Sequence, residues 1–392
     1  MTETIAMARE ATSVAVIPTP TTAETGVADK RCGSEKLGKP TTSFNKLHLC
    51  MTHIDDSPLS DLTMAAPSTR VARALVFPGQ GSQRAGMAKD LLENWRRTTG
   101  DVLEEASEAI QFNLQKLMTE GPQDQLTQTQ FAQPAILSHS VAVLRILEKE
   151  SGFDVARDAS FVMGHSLGEY SALVAANSIP FDSAVKLVHF RGQAMQRAVP
   201  NGEGAMAALM PVAPEVAEEI CALATERSEG HVCQVANYNS SKQSVVSGSA
   251  KAVGLAIEIA KSEKKVRRAL ALDVSAPFHC AMMEPAAREL QQKLVDMADH
   301  IHKPSIPVVW NVEGEATSKE TSDIQDSLVK QVVSPVRWSQ SVDYCVTQGV
   351  SEFLELGFGG VLTGLIRQHS PKSTAVSCGT AEQLTEFLKA RA

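Results

Sequence analysis

The chain's 392 residues are enough for one large domain or a few smaller ones, and 43% hydrophobic content supports a sizeable core. A net charge of -8 argues against nucleic acid or an anionic membrane as the main partner, and no apolar run approaches the length of a membrane span. Seven scattered cysteines, at 32, 50, 221, 233, 280, 345 and 378, contain no C-x-x-C, which fits a reducing compartment and argues against a zinc site or a disulfide framework.

Residues 1–70 are rich in Thr, Ser, Ala and Pro and lack a sustained apolar period, so they read as a disordered leader with a targeting role. Glu3 and Glu10 are unusual in a transit peptide, and a non-targeting tail or a start at Met64 is the alternative. Ala74–Phe77 reads as a strand entering a tight loop, Pro78-Gly79-Gln80-Gly81-Ser82-Gln83. With Gly86 the glycines are spaced G-x-G-x-x-x-x-G and no P-loop lysine follows, so a dinucleotide site is set aside. A loop whose backbone N–H groups are free to bind an oxyanion accounts for the pattern better. Leu103, Ala106, Ile110, Leu114 and Leu117 share one helical spacing. Leu137, Val141, Leu144 and Leu147 share another, which starts near Pro134.

Phe161–Met163 is an apolar run ending at Gly164, and Leu167–Ala176 is rich in helix formers. Between them Gly164-His165-Ser166-Leu167-Gly168 is a G-x-S-x-G in the strand–turn–helix setting of a nucleophile elbow. Side chains at Gly164 and Gly168 would collide in so tight a turn, and Ser166 is pushed out at the positive end of the next helix. A Gly/Ser turn that merely starts a helix is the plainer alternative. Ala184, Val185, Val188 and Met195 mark a further helix, which carries Arg191.

From Gly204 the rhythm changes. Strand patterns at Ala205–Met210, Val232–Tyr238, Gln243–Ser247 and Val266–Leu272 enclose helices at Pro214–Ala224 and Ala250–Ser262. That order, β-α-β-β-α-β, is the ferredoxin-like pattern, at about the size of a small inserted subdomain. Asp273–His279 is a loop, followed by a helix from Met282 to Met297, a strand at Ile306–Trp310 and a helix at Asp323–Val332. Phe353–Leu356 is the last clear strand. It is followed by Gly357-Phe358-Gly359-Gly360 and a helix through Arg367, and Thr380 with Gln383 forms a capping box for the final helix.

A serine nucleophile needs a base within reach and donors for the oxyanion. Ten histidines compete for the first role. His165 adjoins Ser166, but neighbouring side chains diverge at an elbow, so it buttresses the turn. His48 and His53 lie in the leader, and His139 and His189 on helices. His279 lies in a loop between strand and helix, where α/β sheets place functional groups; a histidine capping the Met282 helix is the alternative. Arg191 is either a surface arginine or a fixed cation, whose planar fork would hold a carboxylate near Ser166.

Taken together, FPGQGSQ, GHSLGEYSAL, RGQAMQ, HC-x-MMEPA and SPVRW resemble malonyl-CoA:acyl-carrier-protein transacylases of fatty-acid synthesis over roughly residues 72–390. Acyltransferase domains of polyketide synthases and animal fatty-acid synthases are similar and are the nearest alternative. The resemblance implies an α/β-hydrolase-like core at 71–199 and 269–392 with the ferredoxin-like insert at 200–268. It implies Ser166 as nucleophile and His279 as base, with the N–H groups of Gln80 and Leu167 as oxyanion hole. Arg191 becomes the clamp on the malonyl carboxylate. Gln331 supplies a carbonyl that orients the histidine, and Asn311 is a second histidine-orienting candidate. Malonyl-CoA is the implied substrate and acyl carrier protein the partner, with no metal or redox cofactor and a monomeric chain. Lys264, Lys265, Arg267 and Arg268 are candidates for docking the acidic carrier, with a solvated subdomain edge as the alternative.

Two positions depart from the family. Gly357-Phe358-Gly359 stands where Gly-Pro-Gly is usual, and Phe278 precedes the histidine, where an aromatic ring leaves little room for an α-methyl branch. A serine hydrolase would share the elbow but would want an acidic triad member and have no use for Arg191. A non-catalytic carrier-binding module would need none of these side chains. The run from Arg145 to Ala175 resembles mitochondrial, fungal-type members of the family, which implies the mitochondrial matrix, with plastid or cytoplasm as alternatives.

Overall fold

Apolar runs bounded by glycine, proline or asparagine become strands, and stripes at helical spacing become the helices that cover them. The computed structural model describes residues 72–274 and 276–391; the expected leader at 1–70 lies outside them. In chain order the strands are β1 (Arg73–Phe77), β2 (Phe161–Gly164), β3 (Gly204–Met210), β4 (Cys233–Ser240), β5 (Gln243–Ser249), β6 (Arg268–Ala271), β7 (Val308–Val309), β8 (Glu352–Glu355) and β9 (Thr374–Ser377).

One sheet has the order β7-β2-β1-β8-β9 and is parallel throughout. Parallel sheets are covered on both faces, and β1 shows it. Leu75 and Phe77 join the core on one side; Ala74 and Val76 join Met163 and Phe353 on the other. The second sheet has the order β4-β5-β3-β6, antiparallel, with helices Pro214–Arg227 and Ala250–Ser262. It keeps a core of its own, including Leu209, Ile220, Val246 and Ile259. The fold is therefore an α/β-hydrolase-like core with a ferredoxin-like subdomain. Strand β6 runs to Ala271, so the subdomain extends past the expected boundary at 268. Val336 of the SPVRW segment pairs with Ala236 and Tyr238 of β4, which ties the subdomain to the core. Among the described residues no helix is long and apolar enough to cross a membrane.

Four local outcomes differ from the sequence pattern. The stripe at 103–117 is two helices, Arg96–Ala109 and Leu114–Glu120. Gln111 turns the chain at φ 51°, and the Asn113 side chain caps the second helix by accepting from Lys116 N–H at 2.9 Å. The strand expected at 306–310 shortens to two residues, and one 3-10 turn, Ala281–Met283, precedes the helix Glu284–Asp296. Pro134 lies inside the helix Thr129–Ser151. Its missing N–H would have met the carbonyl of Gln130, and His189 Nδ1–H donates to that oxygen instead, at 2.7 Å. The Thr380–Gln383 capping box forms in both directions.

Candidate active site

The elbow joins β2 to the helix Gly168–Ala175. A Cβ on Gly164 would lie 1.9 Å from the Gly168 carbonyl carbon, and one on Gly168 would lie 2.0 Å from the Phe77 oxygen. Both positions therefore require glycine. Ser166 adopts φ 52°, a left-handed conformation that costs a residue with a Cβ roughly 1–2 kcal/mol. The surroundings hold it there. Its N–H donates to Asn311 Oδ1 at 2.7 Å, and its carbonyl accepts from Gln331 Nε2 at 2.9 Å.

Ser166 Oγ lies 2.7 Å from His279 Nε2. The other ring nitrogen, Nδ1, lies 2.8 Å from the backbone carbonyl of Gln331. A carbonyl only accepts, so Nδ1 carries the proton and Nε2 is left to take one from the serine. That carbonyl is available because it falls in the last turn of the helix Thr321–Val333 and residue 335, four further on, is proline. Among the described residues no carboxylate bonds the imidazole. His279 is 3% exposed; burial, with the Arg191 charge adding to it, lowers its pKa to about 3. The ring is thus neutral at ordinary pH, the state a base requires.

Arg191 lies on the helix Phe181–Ala198, 2% exposed. Its Nη1 donates to Gln133 Oε1 at 2.9 Å and its Nη2 to Gln331 Oε1 at 2.7 Å, and Nη2 stands 3.4 Å from Ser166 Oγ. The Tyr170 ring lies 5.4 Å away. Gly192 makes this possible, since a Cβ there would meet the Thr129 carbonyl oxygen at 2.6 Å and force the two helices apart. A buried cation held by two neutral amide oxygens, with no carboxylate bonded to it among the described residues, is prepared for an anion.

The elbow's backbone donors divide cleanly. Ser166 N–H is spent on Asn311, Gly168 N–H on His165, Glu169 N–H on Ser166 and Tyr170 N–H on Leu167. The N–H groups of Leu167 and Gln80, the two expected for an oxyanion hole, make no hydrogen bond among the described residues. Both line a cavity of about 310 Å³ that also reaches Arg191, Met206 and Phe278. His165 bonds Asn239 Oδ1 at 2.9 Å beside the Trp338 ring, a contact that buttresses the turn.

Asn311 is a correction. It does not orient the histidine: its amide accepts from Ser166 N–H and donates to the Gly164 carbonyl at 2.6 Å. The register of β7 on β2, Val309 opposite Met163, sets it beside the elbow. Two participants escape the sequence reading. Gln133 shares its helix face with Thr129, Gln130 and Ser140, so nothing in its spacing sets it apart. Glu169 looks like an ordinary first-turn acid of a helix yet is 1% exposed. Phe358, where proline is usual, packs edge-on against His139, centroids 5.6 Å apart. Gly357 beside it holds φ 155° against Pro78.

An elbow serine paired with a histidine and overlooked by a buried arginine is the arrangement of a serine acyl-transfer site with an anion-binding group beside it. The chain belongs to the acyl transferase domain family, which it matches over residues 74–388. It is 42% identical over 311 residues to a malonyl CoA-acyl carrier protein transacylase of Bacillus subtilis, covering 79% of this chain and 94% of that one. It is 41% identical over 295 residues to the Escherichia coli K12 transacylase, covering 75% and 92%. Among solved structures, an acyl-carrier-protein S-malonyltransferase of Bartonella henselae superposes with TM-score 0.77 at 42% identity, covering 82% of this chain and 99% of that one. A malonyl-transacylase in complex with its type II PKS acyl-carrier protein superposes with TM-score 0.76 at 37% identity, covering 81% and 99%.

Proposed function

We propose that this protein transfers the malonyl group of malonyl-CoA to the phosphopantetheine thiol of an acyl carrier protein. The observation that carries the reading is the Arg191 guanidinium 3.4 Å from Ser166 Oγ, bonded to neutral amides. Ser166 Oγ attacks the thioester carbonyl as its proton passes to His279 Nε2. The N–H groups of Gln80 and Leu167 receive the charge on the oxygen. The C–S bond breaks, and CoA leaves with the proton from His279. The malonyl ester then waits on Ser166 with its carboxylate on Arg191. The carrier thiol gives its proton to His279, attacks the ester, and the serine recovers its hydrogen. Phe278 beside the cavity favours malonyl over branched acyl groups. A hydrolase reading is disfavoured because the His279 partner is a carbonyl, not an acid.

Docking of the carrier is assigned to the strand that ends at the cavity. Arg267 and Arg268 are exposed at the start of β6, and Leu272, just past its end, lines the cavity. Lys264 is a weaker candidate, since its ammonium already bonds Glu219. Delivery to the mitochondrial matrix belongs to the same proposal. It is supported by the composition of residues 1–70, which precede the family match; sequencing of the mature N-terminus and fractionation test it.

The central test is direct. Incubation with malonyl-CoA is expected to add one malonyl mass to the intact chain, discharged by holo carrier protein, with no adduct on Ser166→Ala. Persistence of the adduct in that variant, or discharge to water at a rate indifferent to carrier, overturns the reading.

A further inference from the structure

We propose that Glu169 is a positioning residue for substrate selection: it fixes which way the Gln331 amide faces and thereby holds Arg191 for the malonyl carboxylate. The inference rests on the malonyl-transfer reading and deepens it.

Glu169 stands in the first turn of the elbow helix, and both its carboxylate oxygens are engaged. Oε1 accepts from the backbone N–H of Asn311 at 2.7 Å, and Oε2 accepts from Gln331 Nε2 at 2.5 Å. The Asn311 N–H can only donate, so one acceptor is committed to it. The second acceptor decides the Gln331 amide. With Nε2 drawn to Glu169 and to the Ser166 carbonyl, Oε1 must face Arg191 Nη2, and it does so at 2.7 Å. An ionised carboxylate is the side-chain group that offers two acceptors and no donor at this reach.

Glutamine at 169 would break this arrangement without changing its size. Its single oxygen goes to the Asn311 N–H, so its NH2 faces Gln331. The Gln331 amide then turns over to offer oxygen, and its own NH2 meets the guanidinium, donor against donor. Burial raises the Glu169 pKa to about 7, while the bonds from Asn311 and Gln331 and the Arg191 charge oppose the rise and Glu313 adds to it. The N–H donors of Asn311 and Gln331 favour the ionised carboxylate against burial, so that form predominates above about pH 7.

The test is steady-state transfer from malonyl-CoA and from acetyl-CoA to carrier protein, using the full chain, with thermal melting as a folding control. Glu169→Gln is expected to lower the malonyl-to-acetyl ratio of kcat/KM by about tenfold, chiefly through a higher KM for malonyl-CoA. Gln331→Met is expected to lower it similarly. The double variant is expected to fall no further than either single one, because Glu169 acts through Gln331. An unchanged ratio in Glu169→Gln, equal losses for both substrates, or additive losses in the double variant would each overturn the proposal. If Glu169→Gln does not fold, an unchanged ratio in Gln331→Met overturns it equally. Arg191→Ala in the same assay separates the two levels. A collapsed ratio there beside an intact one in Glu169→Gln sinks this inference alone, and intact ratios in both sink the malonyl-transfer reading.

Discussion

Ser166 and His279, 113 residues apart, both hold left-handed backbone, φ 52° and 59°, and their side chains meet at 2.7 Å. Two unfavourable conformations persist because each is bonded on both sides: Ser166 to Asn311 and Gln331, His279 to Gln331 and Ser166. Strain of this kind at a reactive centre is stored by the rest of the fold.

That strain is measurable at Ser166. Ser166→Ala and Ser166→Gly both remove the hydroxyl, but glycine has no Cβ to be strained. Ser166→Gly is expected to be the more stable of the two by about 1 kcal/mol in urea denaturation. Equal midpoints would mean the left-handed turn costs nothing.

Arg191 is expected to set acyl selectivity. A charge-assisted hydrogen bond contributes about 1.5–3 kcal/mol, so Arg191→Ala should lower malonyl-over-acetyl preference roughly 10- to 150-fold. Arg191 also holds the His279 pKa down, second to burial. Its removal raises that pKa, so the acid limb of acetyl transfer should move to higher pH. A limb that stays in place would show that the guanidinium charge does not reach the ring.

Asn311→Ala removes the acceptor of Ser166 N–H and the donor to the Gly164 carbonyl together. Leaving buried backbone groups unmatched costs about 1–3 kcal/mol each. Lower melting temperature and slower loading of Ser166 are expected, with little change in KM for malonyl-CoA. Loss confined to KM would place Asn311 at the substrate rather than under the elbow.

His139 is fully buried, with neither ring nitrogen hydrogen-bonded among the described residues. Burial lowers its pKa to about 4. Below about pH 6.5 the unfolded chain takes up a proton that the native chain refuses, so stability is lost as pH falls through that window toward 4. Glu169, whose pKa is raised, works in the opposite sense, because the native chain takes up its proton first. His139→Leu is expected to flatten the fall in denaturation midpoint between about pH 7 and about pH 5. An undiminished slope would mean the ring titrates in the native chain.

The elbow and the subdomain order were legible because each leaves a local mark, paired glycines in one and alternation in the other; spacing left His279 and Arg191 open, and the family resemblance singled them out. Gln133 and Glu169 leave no such mark. Their importance comes from a close helix approach at Gly192 and from donors on Asn311 and Gln331, long-range facts that no spacing encodes. Asn311 was legible as a participant but not in its role, since the register of a two-residue strand decides which partner it meets. The break at Gln111 was hidden because the apolar stripe continues through it.

Pro134 and Pro335 perform the same service. Each deprives a helix of a donor four residues below a glutamine carbonyl, and each time a histidine Nδ1 occupies the oxygen. A carboxylic acid in that place would change its own charge as the solution became acid, and could release or flip the ring it held. A peptide oxygen has no such transition. The imidazole facing Ser166 therefore keeps one tautomer from alkaline solution down to the point where it is itself protonated.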